Sequence, residues 1–298
     1  MIRVVSYFNK SNLTIWGLIL LLMLASFTDV ALSDRLQPAA GTAATVEEVE
    51  LPIIMYHGVL EDKAKQGRYV ISPALFESDL AYLKQQGYHT VTVADLLDYV
   101  DKGIPLPEKP IMLTFDDGYY NNYRYAYPLL QQYDMRAVIA PIVRWTAFYS
   151  DTPSEQDRPL YSHVTWAQIS EMAQSGTVEF QNHSYDMHYT APGKRKGTLK
   201  LAGETEEAYA AALREDVQKA QTLLIEQAGV TPTAFAYPFG AIEKGAEDIL
   251  RELGFRATFT SESRINRLTR DADSLYGLGR YLRPLGSDSK TYFTGILK

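Results

Sequence analysis

From Leu51 onward, short apolar runs alternate with longer stretches whose apolar positions recur at helical spacing. Ile111-Met112-Leu113-Thr114-Phe115 is an apolar run closed by Asp116-Asp117-Gly118, the pattern of a buried strand in a parallel sheet. Ser72-Pro73 opens a helix with a capping residue and Pro at its first position, and Gly87 closes it after Leu75, Leu80 and Leu83. The same reading predicts strands at His89 to Val93, up to Asp116, Ala137 to Val143, Thr177 to Asn182, Ala234 to Tyr237 and Arg256 to Thr260. Helices are predicted near Asp95 to Val100, Asn121 to Tyr133, Trp166 to Ala173, Glu204 to Gln227 and Ala246 to Leu253. Repeated strand–helix units of this size imply an α/β fold: a parallel sheet with helices outside, closed or nearly closed into a barrel.

The amino-terminal segment breaks that pattern. Arg3 and Lys10 precede an apolar stretch from Leu13 to Phe27, and Ala31-Leu32-Ser33 offers a small-residue exit before Asp34. Residues 1–33 read as a secretory signal peptide or, uncleaved, as a single-span membrane anchor. Both readings export the remainder to the cell envelope or the medium. Residues 34–50, rich in Ala, Thr and Glu, read as a linker, and residues 51–298 are long enough for one substantial core. The chain has no cysteine, so neither disulfides nor a lipid-modified thiol can form. A net charge of -7 with no basic stripe argues against a nucleic-acid partner, and a monomer is expected.

Candidate chemistry starts at Asp116-Asp117-Gly118. Adjacent strand residues point to opposite faces, so both carboxylates serve one site only if the chain bends there, which Gly118 permits. Two buried anions side by side repel each other and lose hydration, a cost that a bound cation removes. Two of the five histidines, His183 and His188, follow another predicted strand. They can share an ion only if the backbone turns back after His183. One carboxylate and two imidazoles suit zinc and other divalent ions, so Asp117, His183 and His188 are the expected ligands of one metal ion, Zn, with Co, Ni or Fe as alternatives.

Thr114-Phe115-Asp116-Asp117-Gly118, His183-Ser184 with the later His188, and Phe235-Ala236-Tyr237-Pro238-Phe239-Gly240, in that order, resemble the NodB-type polysaccharide deacetylases, carbohydrate esterase family 4. The resemblance covers roughly residues 51 to 298. Pro52-Ile53-Ile54-Met55-Tyr56-His57-Gly58 and the five-residue step between the two histidines are similar to the poly-N-acetylglucosamine deacetylase branch. The resemblance implies an irregular (β/α)7 barrel and metal-assisted hydrolysis of N-acetyl groups on an N-acetylglucosamine polysaccharide, either peptidoglycan or a β-1,6-linked exopolymer. Asp116 is then the expected general base, and the backbone N–H of Phe239 the expected oxyanion donor.

Two departures accompany the match. Where many relatives carry Arg before the Pro motif this chain has Ala236, and no histidine follows His188 to act as the usual late acid. His57 is therefore the candidate acid. Arg280, in Tyr276-Gly277-Leu278-Gly279-Arg280, resembles the Arg near the end of the poly-N-acetylglucosamine branch; it cannot release a proton at working pH, so it is expected to position Asp116 or the substrate.

Structural readings stand beside these. The aspartate pair could cap a helix, and His57 could be a satisfied strand-end residue. His89 and His163 read as surface or core residues. Trp145 either stacks on a sugar or packs in the core, and Lys194, Arg195, Lys196 and Lys200 form either a solvated loop or a contact to anionic wall polymer. Two further functions remain open: a glycoside hydrolase with paired carboxylates, and a catalytically silent wall-binding module on the same fold.

Overall fold

The computed structural model describes residues 48–297, so the expected signal or anchor segment and most of the expected linker lie outside the described residues. The scaffold is an α/β fold built on short parallel strands: β1 (Ile53–Tyr56), β2 (Pro110–Asp117), β3 (Ala137–Pro141), β4 (Val178–Phe180), β5 (Ala234–Ala236), β6 (Ala257–Phe259) and β7 (Tyr281–Leu282). Pairing runs β7–β1–β2–β3–β4 in one sheet, and β5 pairs with β6. A bridge from Asn182 to Phe235 carries the pairing from the end of β4 to β5. A second bridge joins Phe259 of β6 to Leu278, just ahead of β7. Lateral hydrogen bonding thus returns to the strand from which it started.

The central strand β2 is buried at all its positions, as a strand covered on both faces requires. One face of the sheet packs Ile54, Tyr56, Leu113, Phe115 and Ile139 against Phe76 and Leu80 of α1 (Pro73–Gln85). The other turns Ile53, Met112, Val138, Ala236 and Phe259 toward each other. Alternate residues of each strand therefore feed two different apolar clusters, the consequence of the two-residue period. The α1 cap is as the sequence implies: the Ser72 hydroxyl accepts from the Leu75 N–H at 3.0 Å, with Pro73 in the first turn. Behind the sheet, Arg283 grips Asp79 of α1 through two hydrogen bonds of 2.9 and 3.0 Å, both side chains fully buried.

The remaining helices are α2 (Val93–Asp101), α3 (Tyr127–Tyr133), α4 (Val143–Asp151), α5 (Trp166–Gln174), α6 (Glu206–Ala228), α7 (Ala246–Glu252) and α8 (Ser289–Thr294). Most expected elements fall within a few residues of these bounds. Three differ. The strand after α3 stops at Pro141, and α4 begins at Val143, so Trp145 sits on a helix rather than in a post-strand loop. A strand at Val49–Leu51, inside the end of the expected linker, pairs antiparallel with Asn266–Leu268. β2 extends one residue further than expected, through Asp117. Among the described residues no helix is long and apolar enough to cross a membrane; the stretch Leu13 to Phe27 lies outside them.

Candidate metal centre and active site

The bend after β2 begins at Asp117 itself, which takes the left-handed conformation with φ 71°, and continues through Gly118 at φ 72°. Asp tolerates that region better than most residues, because its short side chain bonds locally. Gly118 tolerates no side chain: a Cβ there would lie 2.5 Å from the Pro141 Cβ. Two consecutive left-handed residues break the strand alternation, so Asp116 and Asp117 line one cavity instead of facing apart. That cavity, about 630 Å³, is lined also by His57, His183, His188, Phe239 and Arg280.

The turn between the two histidines has the reversal that a shared ion demands. Ser184 adopts φ 74°, its N–H donates to Asn182 Oδ1 at 2.8 Å, and its hydroxyl accepts from the Met187 N–H at 3.2 Å. The His183 and His188 rings consequently lie 5.3 Å apart, centroid to centroid. Their Nε2 atoms stand 3.5 and 3.2 Å from Asp117 Oδ1. His183 Nδ1 lies 2.7 Å from the Ala236 carbonyl oxygen, which can only accept, so Nδ1 carries the proton and Nε2 of the neutral ring offers a lone pair.

Those facts test whether the residues fit a metal. Asp117 Oδ1 is buried and has no hydrogen-bond donor, although two imidazole nitrogens face it. Burial opposes ionisation of Asp117, yet the two facing imidazoles hold its carboxyl well below the usual range. Burial likewise opposes charge on His183, while Asp116 and Asp117 lift it above its ordinary value. The three ligand atoms converge within 4.8 Å of one another, and a divalent cation satisfies them together.

Asp116 has a different partner. Arg280 Nη1 and Nη2 reach its two carboxylate oxygens at 2.6 and 2.8 Å, and Nη1 also reaches the Thr114 hydroxyl at 3.3 Å. Burial pushes the Asp116 carboxyl up, but Arg280 and His183 outweigh it and hold the group below its ordinary value. Arg280 is 1 % exposed and stands immediately ahead of β7.

The other expected residues also reach the cavity. His57 follows β1, its Nδ1 buried without a partner and its ring 4.8 Å from that of Tyr69. Burial lowers its basicity, with Asp116 and Asp117 opposing. Phe239 follows β5 in a left-handed conformation, φ 59°, and its ring lies 4.1 Å from His188. The Tyr237 N–H donates to the Phe259 carbonyl at 3.0 Å and Pro238 has no N–H, so that of Phe239 is the next in the chain.

Several neighbours escaped sequence reasoning. Tyr119, two residues beyond Asp117, lines the cavity; burial and the Asp117 charge raise its phenol. Lys65, Arg68 and Tyr69 reach the same cavity from the loop after β1, where no motif marks them. His163 is a core residue: burial pushes it down to about 4, and its ring packs 4.8 Å from Tyr119. His89 is exposed, with Nδ1 bonded to the Glu108 carbonyl at 2.9 Å. The basic stretch after His188 is not simply solvated. The Lys196 backbone pairs antiparallel with that of His188, Arg195 pairs with Glu204 at 2.5 Å, and Lys200 with Glu206 at 2.5 Å.

Comparison with known proteins agrees with this geometry. The family profile described as Polysaccharide deacetylase matches residues 103–258. The poly-beta-1,6-N-acetyl-D-glucosamine N-deacetylase of Escherichia coli (strain K12) is 31% identical over 231 residues, which cover 70% of this chain and 34% of that protein. The chain therefore matches about a third of that relative's length. Among solved structures, IcaB from Ammonifex degensii is 30% identical with a TM-score of 0.65, covering 79% of this chain and 92% of that one. The de-N-acetylase from Aggregatibacter actinomycetemcomitans is 28% identical with a TM-score of 0.69, covering 82% and 100%. The chain belongs to the NodB-type polysaccharide deacetylases, in the branch that holds the poly-N-acetylglucosamine N-deacetylases.

Proposed function

We propose that this chain is a metal-dependent N-deacetylase of an N-acetylglucosamine polysaccharide, releasing acetate outside the cytoplasm, with residues 51–298 as its catalytic domain. One observation carries the reading: the adjacent carboxylates of a single cavity have separate partners, Asp117 facing two imidazoles and Asp116 held by a guanidinium. Paired groups driven toward different roles by their surroundings mark acid–base sites. The strand pairings also support the irregular (β/α)7 barrel, whose chemistry gathers at strand ends.

Asp117, His183 and His188 would hold the ion. A divalent cation bound there supplies Lewis-acid activation of water and of the acetyl carbonyl. Asp116, kept ionised and oriented by Arg280, takes the proton of the attacking water. The Phe239 N–H donates to the oxygen that becomes negative as the carbonyl is attacked. His57 passes a proton to the departing amine. Burial lowers its basicity, and the proton it passes on is the one Asp116 takes from the attacking water, so the step balances. The silent-module reading loses its main support, since Arg280 makes the contact to the base that Ala236 cannot.

The name of the Escherichia coli relative favours a β-1,6-linked polymer over peptidoglycan as the substrate. The test is acetate release from β-1,6 and β-1,4 linked N-acetylglucosamine oligomers, with and without chelator. Chelator-sensitive release, faster from the β-1,6 series, is expected. A protein that loads metal yet releases acetate from neither series would overturn the reading.

A further inference from the structure

We propose that Asp216 is a positioning residue of the metal centre: from the middle of α6 its carboxylate fixes the backbone turn that brings His188 back beside His183. The proposal rests on the metal-centre reading above and extends it to a residue outside the family motifs.

The geometry is specific. Asp216 Oδ1 accepts from the Tyr185 N–H at 2.7 Å, and Oδ2 from the Asp186 N–H at 2.8 Å. Both donors lie inside the five-residue step between the ligands. The turn carries Ser184 in the left-handed region, which is costly for a non-glycine residue and persists only where the surroundings fix it. α6 fixes it on two sides. The Asn182 amide, which holds the Ser184 N–H, is itself held by the Val217 carbonyl and the Gln221 side chain, both at 3.3 Å. The opposite flank is held by α4, whose Val143 and Arg144 N–H groups donate to the Ser184 and Tyr185 carbonyls at 3.2 and 3.1 Å.

A carboxylate suits this place better than any other side chain of its length. Two parallel N–H donors need two acceptors, and an amide would turn one of its two ends into a competing donor. Burial pushes the Asp216 carboxyl up to about 6 with Asp186 adding to the effect, while the two N–H bonds and Arg195 oppose it. An ionised carboxylate there costs folding stability, and its hold on the ligand-bearing turn accounts for its presence. Asp216 touches neither imidazole, so its action on the centre runs through backbone geometry, as partners of ligands commonly act.

The test uses the full chain freed of metal, with Zn(II) alone as the probe. Zn(II) affinity is measured by competition with a chromophoric chelator at neutral pH, and thermal unfolding of the metal-free protein is measured in parallel. Asp216→Asn should raise the Zn(II) Kd about 10- to 100-fold, with metal-free Tm changed by only a few degrees. If Asp216→Asn does not fold, Asp216→Ser carries the same measurement. An unchanged Kd in the folded variant, with or without a lowered Tm, would overturn the role and leave Asp216 a scaffold residue. A parent chain that binds no Zn(II) would overturn the metal centre and this role together. Zn(II) binding in a parent that releases no acetate strikes only at the deacetylase reading, so the two failures are distinguishable.

Discussion

Arg280 holds both carboxylate oxygens of Asp116, at 2.6 and 2.8 Å, across a sequence separation of 164 residues. A planar guanidinium fixes a carboxylate in two directions at once, so the pair sets both the charge and the aim of the proposed base. The contact also removes the doubt raised by Ala236. The guanidinium comes from the segment ahead of β7, not from position 236.

Arg280→Ala should lower kcat about 100-fold, within the usual worth of a general base. Arg280→Lys should recover only part of that loss, because an ammonium supplies charge without the fork. Removing the guanidinium takes away a force that lowers the Asp116 pKa. A base must be ionised to work, so the acidic limb of the kcat/KM profile should move to higher pH. An unmoved limb would show that Arg280 does not act on Asp116.

The two aspartates should separate cleanly on metal content. Asp117→Ala, His183→Ala and His188→Ala are each expected to reduce bound metal, measured by elemental analysis of the purified protein. Asp116→Asn should keep its metal and lose about 100- to 10,000-fold in turnover. Equal metal content in the parent and all three ligand variants would refute the assignment.

The motifs were legible because each is local. Asp116-Asp117-Gly118, His183-Ser184 and Pro238-Phe239-Gly240 carry their own backbone geometry, visible as left-handed residues at Asp117, Ser184 and Phe239. The order of strands and helices was legible for the same reason. What the sequence hid depends on distance: the reach of Asp216 to the histidine turn, and of Lys65 and Arg68 to the cavity. The helix beginning at Val143 was missed because its apolar start continues the β3 run, and periodicity does not separate a strand end from a buried helix start. The strand at Val49–Leu51 was missed because three residues with alternating exposure are too few to show a period.

His57 is distinguished from the other histidines by where it lies. It lines the cavity beside both aspartates, whereas His89 is exposed and pairs at the far end of β2, level with Pro110. His57→Ala should cut turnover by about 100-fold or more if it is the acid, and His89→Ala should leave it unchanged. The comparison is made at saturating metal with folded protein confirmed by circular dichroism. Matching rates in the two variants would remove His57 from the reaction.

Asp216 makes a prediction about stability that is separate from metal binding. Its carboxyl is raised to about 6 in the fold from its ordinary value near 3.8, chiefly by burial and then by Asp186, itself paired with Arg144, against the pull of its two N–H bonds and Arg195. A raised carboxyl binds its proton more tightly when folded than when unfolded, so it penalises the fold once ionised. The penalty is absent below about pH 4, grows as pH rises to about 6, and is complete above that. Asp216→Asn has no titration there. Its metal-free stability relative to the parent should therefore improve from pH 4 to pH 6 and then level off, by at most about 3 kcal/mol. Urea unfolding of both metal-free proteins across that range measures the difference directly. A difference that stays flat from pH 4 to pH 7 would mean that Asp216 titrates as an ordinary carboxylate, its two backbone N–H bonds having offset the whole cost of its burial.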